Sequence, residues 1–211
     1  MSATFGIIPT KLGPDLTFGN VVTLAEKTIG EFLLSYQLEI KIKISVEVRD
    51  NDEKYVHQVG VDDRFFWKDT EHAFFTVDKA KGGTDAYCDK ISDTLEYWDT
   101  YVEEKCGNLV TPAQVAQIKK DNVKWYFRRS AGQSALINIV YGHLAAAVAQ
   151  LSDGVMHSES GWDPAIFPAK AADFLKVYFR PEKTEHEASR KWSEKSLNNL
   201  RESVAGRKAM L

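Results

Sequence analysis

Phe18, Val22, Ala25, Ile29, Phe32 and Tyr36 recur at spacings of three and four, which is one face of an amphipathic helix. The period then changes. From Leu38 to Val48 every even position is apolar (Leu38, Ile40, Ile42, Ile44, Val46, Val48), and the odd positions hold only Glu, Lys or Ser. Strict alternation over that length predicts a strand with one wet face. Arg49–Lys54, RDNDEK, is a turn cluster, and Tyr55–Val61 is the expected hairpin partner. Arg64–Trp67 and His72–Val77 are aromatic-rich and predict further strands, giving an antiparallel meander of about four.

KGGTD, residues 81–85, breaks this pattern. After it Ile91, Leu95, Trp98 and Val102 mark a helix of roughly five turns, ended by Cys106-Gly107-Asn108. Thr111, Pro112 and Gln114 form a capping box with proline at the first helical position, predicting a helix to about Arg129. Ser130–Gln133 separates it from an apolar helix over 134–152, which Asp153-Gly154 closes. A polar loop, HSESGWDPAIFP (His157–Pro168), leads to a short helix over Pro168–Phe179. Thr184 and Glu187 suggest another capping box, opening a mostly polar helix to about Ala205 with a thin stripe of Ala188, Trp192, Leu197, Leu200 and Val204. One N-terminal helix, then strands, then helices predicts a single α+β domain over residues 1–211, with a mainly helical C-terminal half.

The chain has 211 residues, of which 44% are hydrophobic and 27% charged, an ordinary globular composition. A net charge of only −3 disfavours bulk nucleic-acid binding. The N-terminus lacks a basic start and a long apolar run, so no secretory signal is expected. The most apolar stretch, Ala135–Leu151, falls short of the roughly 20 residues a membrane span needs. A cytoplasmic protein that does not engage a membrane is therefore expected. Cys88 and Cys106 show no metal-site spacing; a disulfide between them is left open.

The small net charge hides an asymmetry. Residues 47–104 carry sixteen acidic and seven basic side chains, whereas residues 105–211 carry ten acidic and sixteen basic. The predicted helix bears Asp85, Asp89, Asp93, Glu96, Asp99, Glu103 and Glu104, and of these Asp89, Asp93, Glu96, Asp99 and Glu103 line one face. Two readings follow. The face is neutralised by the basic C-terminal half or simply solvated, or it steers a basic partner.

No dinucleotide-binding, P-loop, zinc-protease or nucleophile-elbow motif is present. His157, Glu159 and Asp163 offer an imidazole and two carboxylates suited to metal binding or proton transfer, but nothing fixes their geometry in a loop, and the stronger reading is of turns and caps anchored by Trp162 and Phe167. His57, Asp62, Asp63, Asp69 and His72 form a second polar group with no ordering motif. His143 lies inside the apolar helix, as a core histidine would. Arg128 and Arg129, beside Trp125-Tyr126-Phe127, suit either base stacking or a core aromatic cluster.

The stretch DGVMHSESGWDPAIFPAKAADFLKVYFRPE resembles the C-terminal signature of bacterial proteins that accompany polymorphic toxins, and is similar to the immunity protein 52 family of type VI secretion systems. Ser158, Trp162, Asp163, Pro168, Phe174, Leu175, Tyr178 and Phe179 carry the likeness, over about 30 of 211 residues. The resemblance implies a non-enzymatic cytoplasmic antitoxin that neutralises a cognate secreted toxin, a nuclease effector, by blocking its active site or substrate groove. On this reading no catalytic residue, metal or cofactor is expected. The partner is a toxin with a basic surface, nucleic acid is not contacted directly, and a homodimer is left open. Candidate toxin-binding residues are Asp85, Asp89, Asp93, Glu96, Asp99 and Glu103, with Trp67 and Tyr101 as aromatic anchors and the Asp50–Asp63 hairpin edge as a further steering surface. The alternative is a metal-dependent hydrolase using the His157–Asp163 loop.

Overall fold

The computed structural model of the chain describes residues 3–52, 54–78, 80–93, 101–160 and 166–208. In chain order these form β1 (Ala3–Ile8), α1 (Phe18–Ser35), β2 (Ile44–Asp50), β3 (Tyr55–Gln58), β4 (Glu71–Val77), β5 (Gly83–Lys90), α2 (Pro112–Asp121), β6 (Val123–Arg129), α3 (Ala135–Leu151), β7 (Val155–Ser160), α4 (Ala171–Val177) and α5 (Glu187–Lys208). The fold is α+β. Its sheet is antiparallel and larger than the predicted meander: seven strands in the order β3-β2-β4-β5-β6-β1-β7.

The helices follow their local signals. The Thr17 hydroxyl accepts from the Asn20 N–H and caps α1, whose Phe18, Val21, Ala25, Ile29 and Phe32 are buried. The Thr111 box is present in both directions at the start of α2. Thr184, by contrast, does not open α5. Its hydroxyl donates to the Val177 and Arg180 carbonyls and closes off the end of α4.

Three expectations are corrected. The helix from Pro112 stops at Asp121, because Asn122 takes the left-handed conformation (φ 49°) that ends helices, and Val123–Arg129 continues as a central strand. There Trp125 and Phe127 enter the core while Lys124, Tyr126 and Arg128 alternate onto the other face. The helix predicted after 85 is replaced over 83–90 by β5, and residues 94–100 lie outside the described part. Arg64–Trp67 is not a strand; its Phe65 plugs the core between α1 and the sheet.

The predicted strand over 38–48 is half right. Burial alternates from Leu38 onward, but pairing begins only at Ile44, whose N–H the Glu26 carboxylate also accepts at 2.7 Å. Periodicity reports which way side chains point, and pairing needs a neighbour.

α1 and α3 cover one sheet face and enclose the main core, with residues 137–149 of α3 all buried. Over β1 and β7 the other face carries a smaller cluster, in which Ile8 and Val155 meet Val102, Cys106, Val110 and Ile118. The two cysteines sit in different clusters, both as free thiols, so the disulfide left open by the sequence is absent. Burial pushes the Cys88 thiol up to about 12 and the Cys106 thiol to about 11.

On that second face, register aligns one residue from each strand: Tyr55, Arg49, His72, Tyr87, Tyr126, Gly6 and His157. Tyr87 stacks on His72 at 5.3 Å and on Tyr126 at 4.8 Å. Gly6 is the gap in this row. A Cβ there would fall inside the His157 imidazole. Gly6→Ala is therefore expected to destabilise the fold by about 1–3 kcal/mol through overpacking, visible as a lower urea midpoint at unchanged m-value. A midpoint equal to wild type would show that His157 swings aside without cost.

Candidate functional site

Of the acidic toxin-binding candidates singled out above, the two whose side chains are described, Asp85 and Asp89, are not on a helix. Asp85 and Asp89 lie on β5, four apart on the same side of the strand, and the register sets them directly opposite Arg128 and Lys124 of β6. They surround Tyr126. Burial first, then the Asp89 carboxylate and Tyr87, push its hydroxyl up to about 12. These two carboxylates thus face the chain's own bases across a strand pair. The side chains of Asp93 and Glu103, and all of Glu96 and Asp99, lie outside the described residues.

Trp67 is only 5% exposed and packs on Phe18 and Phe65, so it is a core residue and not a presented anchor. Tyr101 is half-buried, its ring edge-on to His157 at 5.8 Å.

The start of the polar loop is a strand. His157 sits on β7 and is buried against Gly6. Burial, with Lys124 nearby, pulls its imidazole down to about 4, so it is neutral at pH 7. Gly161–Ala165, including Asp163, and the Glu159 side chain lie outside the described residues. Among the described residues no three His, Cys, Asp or Glu side chains gather as a metal site. The second polar group is divided by the sheet: His72 stacks on Tyr87 on one face, while His57, opposite Val48, lies on the other. Arg129 is also internal, its guanidinium packed over Trp192 at 4.7 Å.

What the structure does gather lies at the other end of the sheet. Five large hydrophobic side chains are exposed among the described residues, and four fall within residues 55–66: Tyr55 (59%), Val56, Val61 (70%) and Phe66 (56%). β3 is the edge strand, and all four of its residues are exposed. The following segment is held firmly. Phe18 and Gly19 of α1 donate to the Asp63 and Val61 carbonyls at 3.0 and 2.8 Å, and the Phe65 N–H and the Arg64 guanidinium donate to the Leu16 and Leu12 carbonyls. Gly19 permits this approach, because a Cβ there would press on the Val61 carbonyl. Asp63 accepts from the Gly60 N–H at 2.7 Å and closes the turn.

Between this segment and the start of α1 opens a cleft of about 560 Å³. Its apolar wall is Leu12, Leu16, Phe18, Val59, Phe65 and Phe66, with Trp125 at its floor; His57, Asp63 and Arg64 supply the polar groups. Along the sequence, residues 50–71 hold seven acidic and three basic side chains, of which all but Glu53 lie among the described residues. The apolar patch therefore has an acidic rim, within which Asp62 and Asp69 are exposed.

The chain matches no family model, and no curated protein or solved structure matches it. Among the described residues no helix is long and apolar enough to cross a membrane.

Sequence reasoning named the Asp50–Asp63 edge only as a secondary surface and missed Val61 and Phe66. The signal was there: VGV and FF, four apolar residues and a glycine within a charged 22-residue stretch, are more than a turn requires.

Proposed function

We propose that this chain is a protein-binding inhibitor of the immunity type, which neutralises a basic toxin partner through the edge formed by β3 and residues 59–66. One observation carries the reading: exposed apolar side chains concentrate on a firmly held edge beside a cleft, inside an acidic rim. Rigid apolar groups at a patch centre supply affinity, and the surrounding charge supplies encounter rate and choice of partner. The resemblance of residues 153–182 to immunity proteins agrees in kind but touches none of these residues.

The test is co-expression with the product of the neighbouring reading frame. The neighbour is expected to be toxic alone and harmless with this chain, and Val61→Asp with Phe66→Asp is expected to abolish protection while leaving the fold intact. A neighbour harmless by itself counts against the reading. Charge reversal by Asp62→Lys with Asp69→Lys is expected to slow association about tenfold or more at low salt, and the difference is expected to shrink as salt screens it. An unchanged association rate would remove the acidic rim from the account.

A further inference from the structure

We infer that the outer edge of β3 takes up an extended, basic segment of the partner as an eighth strand and seats one apolar side chain of that segment in the Trp125 cleft. This deepens the binding reading above and depends on it only for the identity of the natural partner.

Three observations converge. First, β3 ends the sheet, so its outward N–H and C=O groups face no strand among the described residues, and a bare edge is a template for another chain. Second, His57 and Val59, two apart on the extended chain, both line the cleft. The cleft thus opens directly under that edge, on the side to which alternate residues of an added strand would point. Third, the charge selects the guest. With seven acidic against three basic side chains in residues 50–71, a second copy of this edge would bring two acidic rims together, whereas a lysine- or arginine-bearing strand is attracted. A guest alternating apolar and basic residues satisfies all three, with apolar groups toward the cleft and cations toward the hairpin carboxylate Asp52, whose 3.5 Å pair with Lys54 is solvent-exposed; Glu47 is already held by Arg49. Phe66, on the cleft wall and 56% exposed, would cover the seated side chain.

The probe is the heptapeptide acetyl-Lys-Val-Lys-Phe-Lys-Val-Lys-amide, added to the full chain. Backbone amide hydrogen exchange is expected to slow about fivefold or more at residues 55–58, and tryptophan emission is expected to shift as the cleft over Trp125 fills. The same peptide with glutamate for lysine is expected to do neither. Phe66→Asp, at an exposed position, is expected to weaken binding about tenfold. Absence of protection at 55–58 with about 2 mM peptide overturns the inference. So does binding without edge protection, which would make the cleft a pocket only, or the same protection arising without peptide in a concentration-dependent dimer. If a cognate toxin is neutralised while these amides exchange freely, the inhibitor reading stands and this one falls.

Discussion

Lowering the pH from 7 to about 4.5 is expected to cost the fold on the order of 5 kcal/mol through two histidines alone. His143 is enclosed between α1 and α3, its Nδ1 hydrogen-bonded to the Thr28 hydroxyl at 2.9 Å and its ring against Phe32 and Tyr178. Burial, with Arg180 adding to it, pulls this imidazole down to about 3, and His157 behaves alike at about 4. Both are neutral in the folded chain. Below about pH 6.5 the unfolded chain takes up two protons that the folded chain refuses, so stability falls with pH until the folded values are reached. Each histidine then contributes roughly 1.4 kcal/mol per pH unit over that window. Against a total of about 5–15 kcal/mol this is a large loss. Denaturant melts between pH 7 and 4.5 measure it. His143→Gln and His157→Gln are each expected to remove about half of the pH slope, and a slope that persists in the double variant would refute the assignment.

The second large effect separates two adjacent phenylalanines. Phe65→Ala is expected to destabilise the protein by about 3–5 kcal/mol, whereas Phe66→Ala is expected to stay within about 0.5 kcal/mol. Phe65 is 1% exposed, and its ring meets Phe18 and Trp67 at 5.0 Å, Trp125 at 5.9 Å and Phe127 at 6.5 Å. It joins α1 to β4 and β6, and truncation leaves a void among rings too large to collapse into it. For a chain of this length the loss corresponds to a fall in Tm of roughly 6–20 °C. Tryptophan emission is expected to change as well, since Trp67 and Trp125 flank the void. Phe66 spends its ring on the surface, so its removal is expected to tell in binding and not in melting. Equal melting losses for the two variants would mean that the segment does not sit as described.

Several parts of this molecule were legible from local pattern. The three-and-four spacing of Phe18 to Phe32 places α1, the Thr111 box starts α2, and the unbroken apolar run places α3. The alternation of Ile44, Val46 and Val48 supplies the inward face of β2, and the turn cluster after it returns as β3. Each of these signals is written within a few residues, where helical period, capping groups and side-chain alternation act directly on the backbone.

What only the tertiary structure decided is which segments became strands and whom they face. β6 reads as the end of a helix until β5 and β1 flank it, and β1 and β7 reach their places only by pairing across about 120 and 150 residues of chain. That pairing turns Asp85 and Asp89 toward Arg128 and Lys124, takes Trp67 into the core, and leaves Tyr55, Val56, Val61 and Phe66 outside at the far edge. The physical reason is that hydrophobicity and charge are properties of a residue, whereas exposure and neutralisation are properties of its neighbours.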